Sequence, residues 1–152
     1  MNTSLKINND TLRERNKDDI NLEGFALETL NNLVVAIDFD GTISTEPHMG
    51  KELKLHPYCK EVLTELRKEG VTFILWTCRT GKYLDEAVKF LAENEMFHLF
   101  TTVNNQLPEI EELYHPDVAR KVGADFYYDD RNLGTEINWL RFKQQILNEL
   151  EA

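Results

Sequence analysis

Cysteine, proline and glycine are all scarce in this 152-residue chain, at two, four and seven residues. Cys59 and Cys78 are too few and too far apart for a disulfide framework or a thiolate metal cluster, and the expectation is two reduced thiols. Long apolar runs are missing too. No stretch reaches the roughly 18 apolar residues of a membrane span, and Met1 to Asn9 lacks the apolar core of a signal peptide. A cytoplasmic protein with no membrane partner is expected. Basic residues are outnumbered, 17 Lys and Arg against 27 Asp and Glu, for a formal charge of −10. Such a surface repels polyanions and disfavours nucleic acid as a partner. What is present is ordinary for a globular domain: 41% apolar and 29% charged residues, with no internal repeat. A domain of this length buries about 68–70% of the surface its unfolded chain exposes, so it needs no covalent staple.

Residues 1–20 are rich in Asn, Asp, Lys and Arg with isolated apolar residues, and read as a polar arm. Residues 21–152 read as a single domain. Leu22, Phe25, Ala26 and Leu30 suggest a short helix at its start. Leu33 to Ile37 is a continuous β-branched run, the pattern of a strand buried on both faces of a parallel sheet. Pro57 opens a helix carrying Tyr58, Val62, Leu63 and Leu66 on one face, and Gly70 closes it. A second buried strand spans Val71 to Trp76, and Leu84, Ala87, Val88 and Leu91 then recur at helical spacing. Further on come a third strand within Phe97 to Val103, a short helix over Asp117 to Val122 and a fourth strand over Asp125 to Tyr128. A last helix from about Thr135 to Leu150 has Ile137, Leu140, Leu147 and Leu150 as its inner stripe. Alternating strands and helices predict an α/β fold with a mainly parallel sheet.

In open α/β sheets the ligand crevice lies beyond the carboxyl ends of the strands. Asp38 and Asp40 follow the first strand, Thr77 and Arg79 the second, and Asp129 and Asp130 the last. Four carboxylates around one crevice are costly, since two like charges about 4 Å apart repel by roughly 4 kcal/mol at an effective dielectric of 20. A hard dication with oxygen ligands offsets that cost, and Mg²⁺ commonly uses one or two carboxylates together with waters and phosphate oxygens.

The segment Asp38-Phe39-Asp40-Gly41-Thr42 after an apolar strand resembles the first motif of the haloacid-dehalogenase (HAD)-like hydrolase superfamily. The superfamily's second motif, a Ser or Thr ending a strand, is matched by Thr77. Its third, a Lys before the last acidic motif, is matched by Lys121, and its fourth, paired acids after a strand, by Asp129-Asp130. The match runs from about Leu33 to Asn132 in the superfamily's order. It implies a Rossmann-like three-layer sandwich and a phosphatase of the phosphoric monoester hydrolase class. Asp38 would be the nucleophile forming an aspartyl-phosphate, and Asp40 the general acid and base. Mg²⁺ would be held by Asp38, the Asp40 backbone carbonyl and Asp129, with Asp130 acting directly or through water. Thr77 would hydrogen-bond a phosphate oxygen and Lys121 would bridge nucleophile and phosphoryl group. Gly41 permits the sharp turn and Thr42 orients the nucleophile, both close to the phosphate. Arg79 and Arg131 either grip phosphate or offset neighbouring acids.

Only a loop and one helix separate Thr42 from Val71, and a helix, a strand and a loop separate Thr77 from Lys121. Neither gap holds the cap domain common in the superfamily. A capless site suits a macromolecular substrate, or closure by loops or by a partner subunit in a homo-oligomer. Residues 104–116 are either a partial lid or an ordinary surface connection. Three substrates or roles follow in order: a small phosphorylated metabolite or nucleotide, a polynucleotide end-phosphate, and a non-enzymatic phospho-accepting signalling domain. The charge of −10 opposes the second. The third is opposed by motif order, because receiver domains pair their acids after the first strand and carry the Lys last.

Overall fold

The computed structural model describes residues 32–152. The expected arm over 1–20 and the helix over Leu22–Leu30 lie outside the described residues. Four parallel strands, β1 (Val34–Ile37), β2 (Thr72–Leu75), β3 (Phe100–Val103) and β4 (Phe126–Tyr128), form one sheet in the order β3-β2-β1-β4. Every residue of β1 is buried, because this strand pairs with β2 on one side and β4 on the other. Its side chains alternate between two cores, as the two-residue period of a strand requires. Val35 and Ile37 face one core, and Val34 and Ala36 the other.

The first core receives α1 (Cys59–Lys68), α2 (Gly81–Glu93) and α4 (Trp139–Glu151), through Val62, Leu66, Leu91, Trp139 and Phe142. The second receives α3 (Pro108–Tyr114), whose Ile110 packs beside Leu107 and Val122. Right-handed crossovers account for the division. The chain steps from β1 to β2 to β3 in one direction, then returns past both to β4, so the returning helix covers the opposite face. The fold is therefore an α/β three-layer sandwich of Rossmann type, and among the described residues no cap domain is inserted. No described helix is long and apolar enough to cross a membrane.

Several expected elements shift. The third strand begins at Phe100, after a 3-10 turn over Phe97–Leu99. No helix forms over Asp117–Val122. Gln106 ties that segment down instead, donating to the Ala119 and Lys121 carbonyls and accepting from the Gly123 N–H, which satisfies backbone groups a helix would have paired. The helix lies earlier, at Pro108–Tyr114, with proline in its first turn and Leu113 buried. The 104–116 segment is thus a layer of the sandwich and not a lid.

The last helix starts at Trp139, because the Asn138 side chain accepts from the Arg141 N–H at 2.9 Å and caps it. Its buried stripe is Trp139, Phe142 and Ile146, while Leu140 and Leu150 are 49% and 38% exposed. The larger aromatic faces take the core and rotate the leucines outward. Tyr128 joins them, stacked on Phe142 with ring centroids 4.4 Å apart and edge-on to Trp139. In α1, Cys59 rather than Tyr58 turns inward; Tyr58 precedes the helix at φ 67° and is exposed.

Candidate functional site

The strand order reverses at β1, so the ends of β1 and β4 flank the switch point where ligands of open α/β sheets bind. Asp38 leaves β1 there and donates its N–H to the Tyr128 carbonyl at the end of β4. The chain turns sharply: the Phe39 carbonyl accepts from the N–H groups of Thr42, Ile43 and Ser44. Gly41 has φ +81°, and a Cβ there would run into the Asp130 carboxylate. Only glycine lets the two loops approach this closely.

A cleft of about 210 Å³ opens at this end of the sheet, and Asp38, Asp40, Thr77, Asp129, Asp130 and Arg131 all line it. Five of the six residues picked by the strand-end rule therefore share one cavity, and Arg79 is the one that does not line it. Asp38, Asp129 and Asp130 each bring one carboxylate oxygen within 4.8 Å of the others. The Asp130 Oδ1 atom is buried without a hydrogen-bond partner. An orphaned hard oxygen beside two further carboxylates fits a hard dication.

Thr42 is the hub of the site. Its hydroxyl donates to Asp38 Oδ2 at 2.9 Å and accepts the Asp130 N–H at 3.0 Å, joining the ends of β1 and β4. Its carbonyl accepts the indole N–H of Trp139 at 3.0 Å, which ties the loop to α4. Burial, reinforced by the Asp129 and Asp130 charges, pushes the Asp38 carboxyl up from 3.8 to about 8, and the Thr42 hydroxyl pulls the other way. Asp129 is raised for the same reasons, burial first and Asp130 after it, although the Arg131 N–H it accepts at 2.8 Å opposes the shift. Thr42→Val keeps the shape and deletes the hydroxyl. It should cost about 1–3 kcal/mol, because the Asp130 N–H loses its partner, and chemical denaturation checks this.

Asp40 lines the cleft but stands apart from the three converging oxygens. Arg79, expected either at phosphate or beside the acids, is 1% exposed and committed to the acid. Its Nε bonds Asp40 Oδ2 at 3.0 Å, its Nη2 bonds Oδ1 at 2.8 Å, and its Nη1 bonds the Tyr83 carbonyl at 2.8 Å. It does not grip phosphate in this arrangement. Arg131 is exposed at the cleft wall and remains available to an anion. Thr77 donates its N–H to Asn104 Oδ1 at 2.8 Å, and its hydroxyl accepts the Arg79 N–H at 3.1 Å.

Lys121 is not brought to the acids. Its ammonium lies over the Tyr127 ring, 4.9 Å from the centroid, in the wall of a different cavity of about 330 Å³. That cavity is bounded by Val34 and Asp125 at the strands' amino ends, away from Asp38. The reason is the non-helical path of 117–122, which Gln106 holds on the α3 face.

A conserved protein from Bacteroides thetaiotaomicron is 32% identical to this chain, with a TM-score of 0.67, over 78% of this chain and 93% of its own. The two proteins belong to one family. Its description names no activity, no protein-family model matches this chain, and no curated protein does either.

Three contributors escape sequence reasoning. Asn104 sits immediately after β3 at φ 56°, a conformation asparagine tolerates, and positions Thr77. The strand-end rule, extended to the third strand, points to it. His48, which no sequence pattern singles out, lines the cleft with Met49. Trp139 is buried in the core, and its N–H also reaches the Thr42 carbonyl across 97 positions, which no local pattern signals.

Proposed function

We propose that this protein is a Mg²⁺-dependent phosphomonoester hydrolase of HAD type, acting on a small phosphorylated metabolite or nucleotide. One observation carries the reading: Asp38, Asp129 and Asp130 converge beside a buried, unpartnered Asp130 oxygen, with Thr42 bonded to both loops. Asp38, Asp129 and Asp130 would hold the ion, together with the Asp40 backbone carbonyl. When bound, Mg²⁺ neutralises charge on the phosphoryl oxygens.

A carboxylate oxygen of Asp38 attacks phosphorus, and the bond from phosphorus to the leaving oxygen breaks as Asp40 gives that oxygen a proton. Water then attacks the aspartyl-phosphate, Asp40 takes a proton from it, and the bond between phosphorus and Asp38 breaks to release inorganic phosphate. Thr77 has a hydroxyl hydrogen to donate to a phosphate oxygen, and Arg131 offers a cation at the wall. With Lys121 elsewhere and Arg79 committed to Asp40, Arg131 is the side chain best placed for that charge. The Asp38 carboxyl must lose its proton to act, and a dication there favours the carboxylate.

A screen of sugar phosphates, nucleotides and phosphorylated oligonucleotides with and without Mg²⁺ tests the reading. Release from small monoesters that stops on adding chelator is expected. Release from oligonucleotides alone would replace the small substrate by a polynucleotide end, and stable self-phosphorylation without turnover would make the chain a phospho-acceptor.

A further inference from the structure

Four carboxylates face the cleft, but only three converge. The side chain of the fourth, Asp40, is held from behind by a cation whose own position is over-determined. Arg79 contacts both oxygens of Asp40, donates to the Tyr83 carbonyl in the first turn of α2, and lies over the Phe39 ring at 5.0 Å from its centroid. It is almost fully buried, whereas Asp40 is partly exposed to the cleft, with 16% of its side chain accessible. A guanidinium in this position fixes the plane and direction of the carboxylate.

We propose that Arg79 is a positioning residue that keeps the Asp40 carboxylate out of the dication site and reserves it for proton transfer. The inference rests on the hydrolase reading above. Oxygen-rich sites bind dications more tightly as carboxylates are added. Two residues from Asp38 in sequence and in the same cleft, an unrestrained Asp40 side chain is the obvious further ligand. A carboxylate that coordinates the ion neither gives nor takes a proton well. Arg79 therefore separates two tasks that four similar acids would otherwise share. Lysine is no substitute, because one ammonium cannot span both Asp40 oxygens and the Tyr83 carbonyl at once.

The test compares Mg²⁺ titration by calorimetry, without substrate, with phosphate release. Arg79→Met should bind Mg²⁺ several-fold more tightly while kcat falls about 10²-fold or more, as when a general acid is lost. A merely structural role would weaken both. Asp40→Asn combined with Arg79→Met removes the extra ligand along with the cation, so the tightening should disappear. If it persists there, loss of a nearby positive charge explains it and the inference fails. Arg79→Lys, which keeps the charge, is the second variant in case the methionine variant does not fold, and it too should gain affinity. Unchanged or weaker Mg²⁺ binding in the folded Arg79 variants overturns the inference. Absence of Mg²⁺ binding in the wild-type chain overturns the proposed function instead.

Discussion

Asp38→Asn should abolish phosphate release, lowering kcat by at least about 10³-fold, and at the same time make the metal-free protein more stable at pH 8. The two effects have one origin. Burial and the neighbouring Asp129 and Asp130 hold the Asp38 carboxyl at about 8, against 3.8 ordinarily. The folded chain thus binds a proton that the unfolded chain releases between those values. Stability from this group is fully present below about 4 and is lost as pH rises through about 8. Wild-type melting in chelator should fall across that window, and the asparagine variant should fall less steeply, Asp129 keeping part of the slope. The amide still accepts from the Thr42 hydroxyl, so the fold loses little. Mg²⁺ should restore wild-type stability at pH 8 and do little for the variant. Such a trade between stability and activity is common where a site concentrates like charges. Equal turnover in the variant would sink the covalent mechanism, and parallel pH slopes would contradict the burial argument.

Gly41→Ala is expected to have the next largest effect. A Cβ at this position sits 2.6 Å from the Asp130 Cγ, and φ +81° is strained for alanine. The Asp130 carboxylate is short, and its backbone is pinned to the Thr42 hydroxyl, so it cannot yield without opening the site. Gly70→Ala supplies the comparison. Gly70 has φ +95° with nothing near its missing Cβ, so its variant carries only the backbone strain, about 1–3 kcal/mol. The Gly41 variant should lose more than the Gly70 variant in thermal melts, and it alone should lose Mg²⁺ stabilisation. Equal behaviour of the two would mean that the contact with Asp130 does not shape the site.

Comparison of sequence and structure separates two kinds of information. The chain displays its strands because parallel strands buried on both faces require unbroken apolar runs. It displays the acids because polar residues at the end of such a run must face the crevice. Leu33 to Ile37 followed by Asp38 contains both signals within six residues. The glycine after Asp40 is legible for a similar reason, since a sharp turn with positive φ is a local demand.

Partnerships across the fold are not local, and there the sequence ran out. Whether Arg79 served a phosphate or Asp40 depended on which lay within reach once β1 and β2 paired, and the buried geometry assigned it to Asp40. Lys121 stood at the expected place in the order of motifs, but Gln106 held its segment on the far face of the sheet. In α4 the sequence suggested an aliphatic stripe, but packing against Tyr128 put the aromatic residues inward, which also delivered the Trp139 N–H to Thr42. Period, charge and turn chemistry act over a few residues and survive in the sequence alone. Which carboxylate meets Arg79, and which three draw together, is a matter of distances that only the assembled sheet creates.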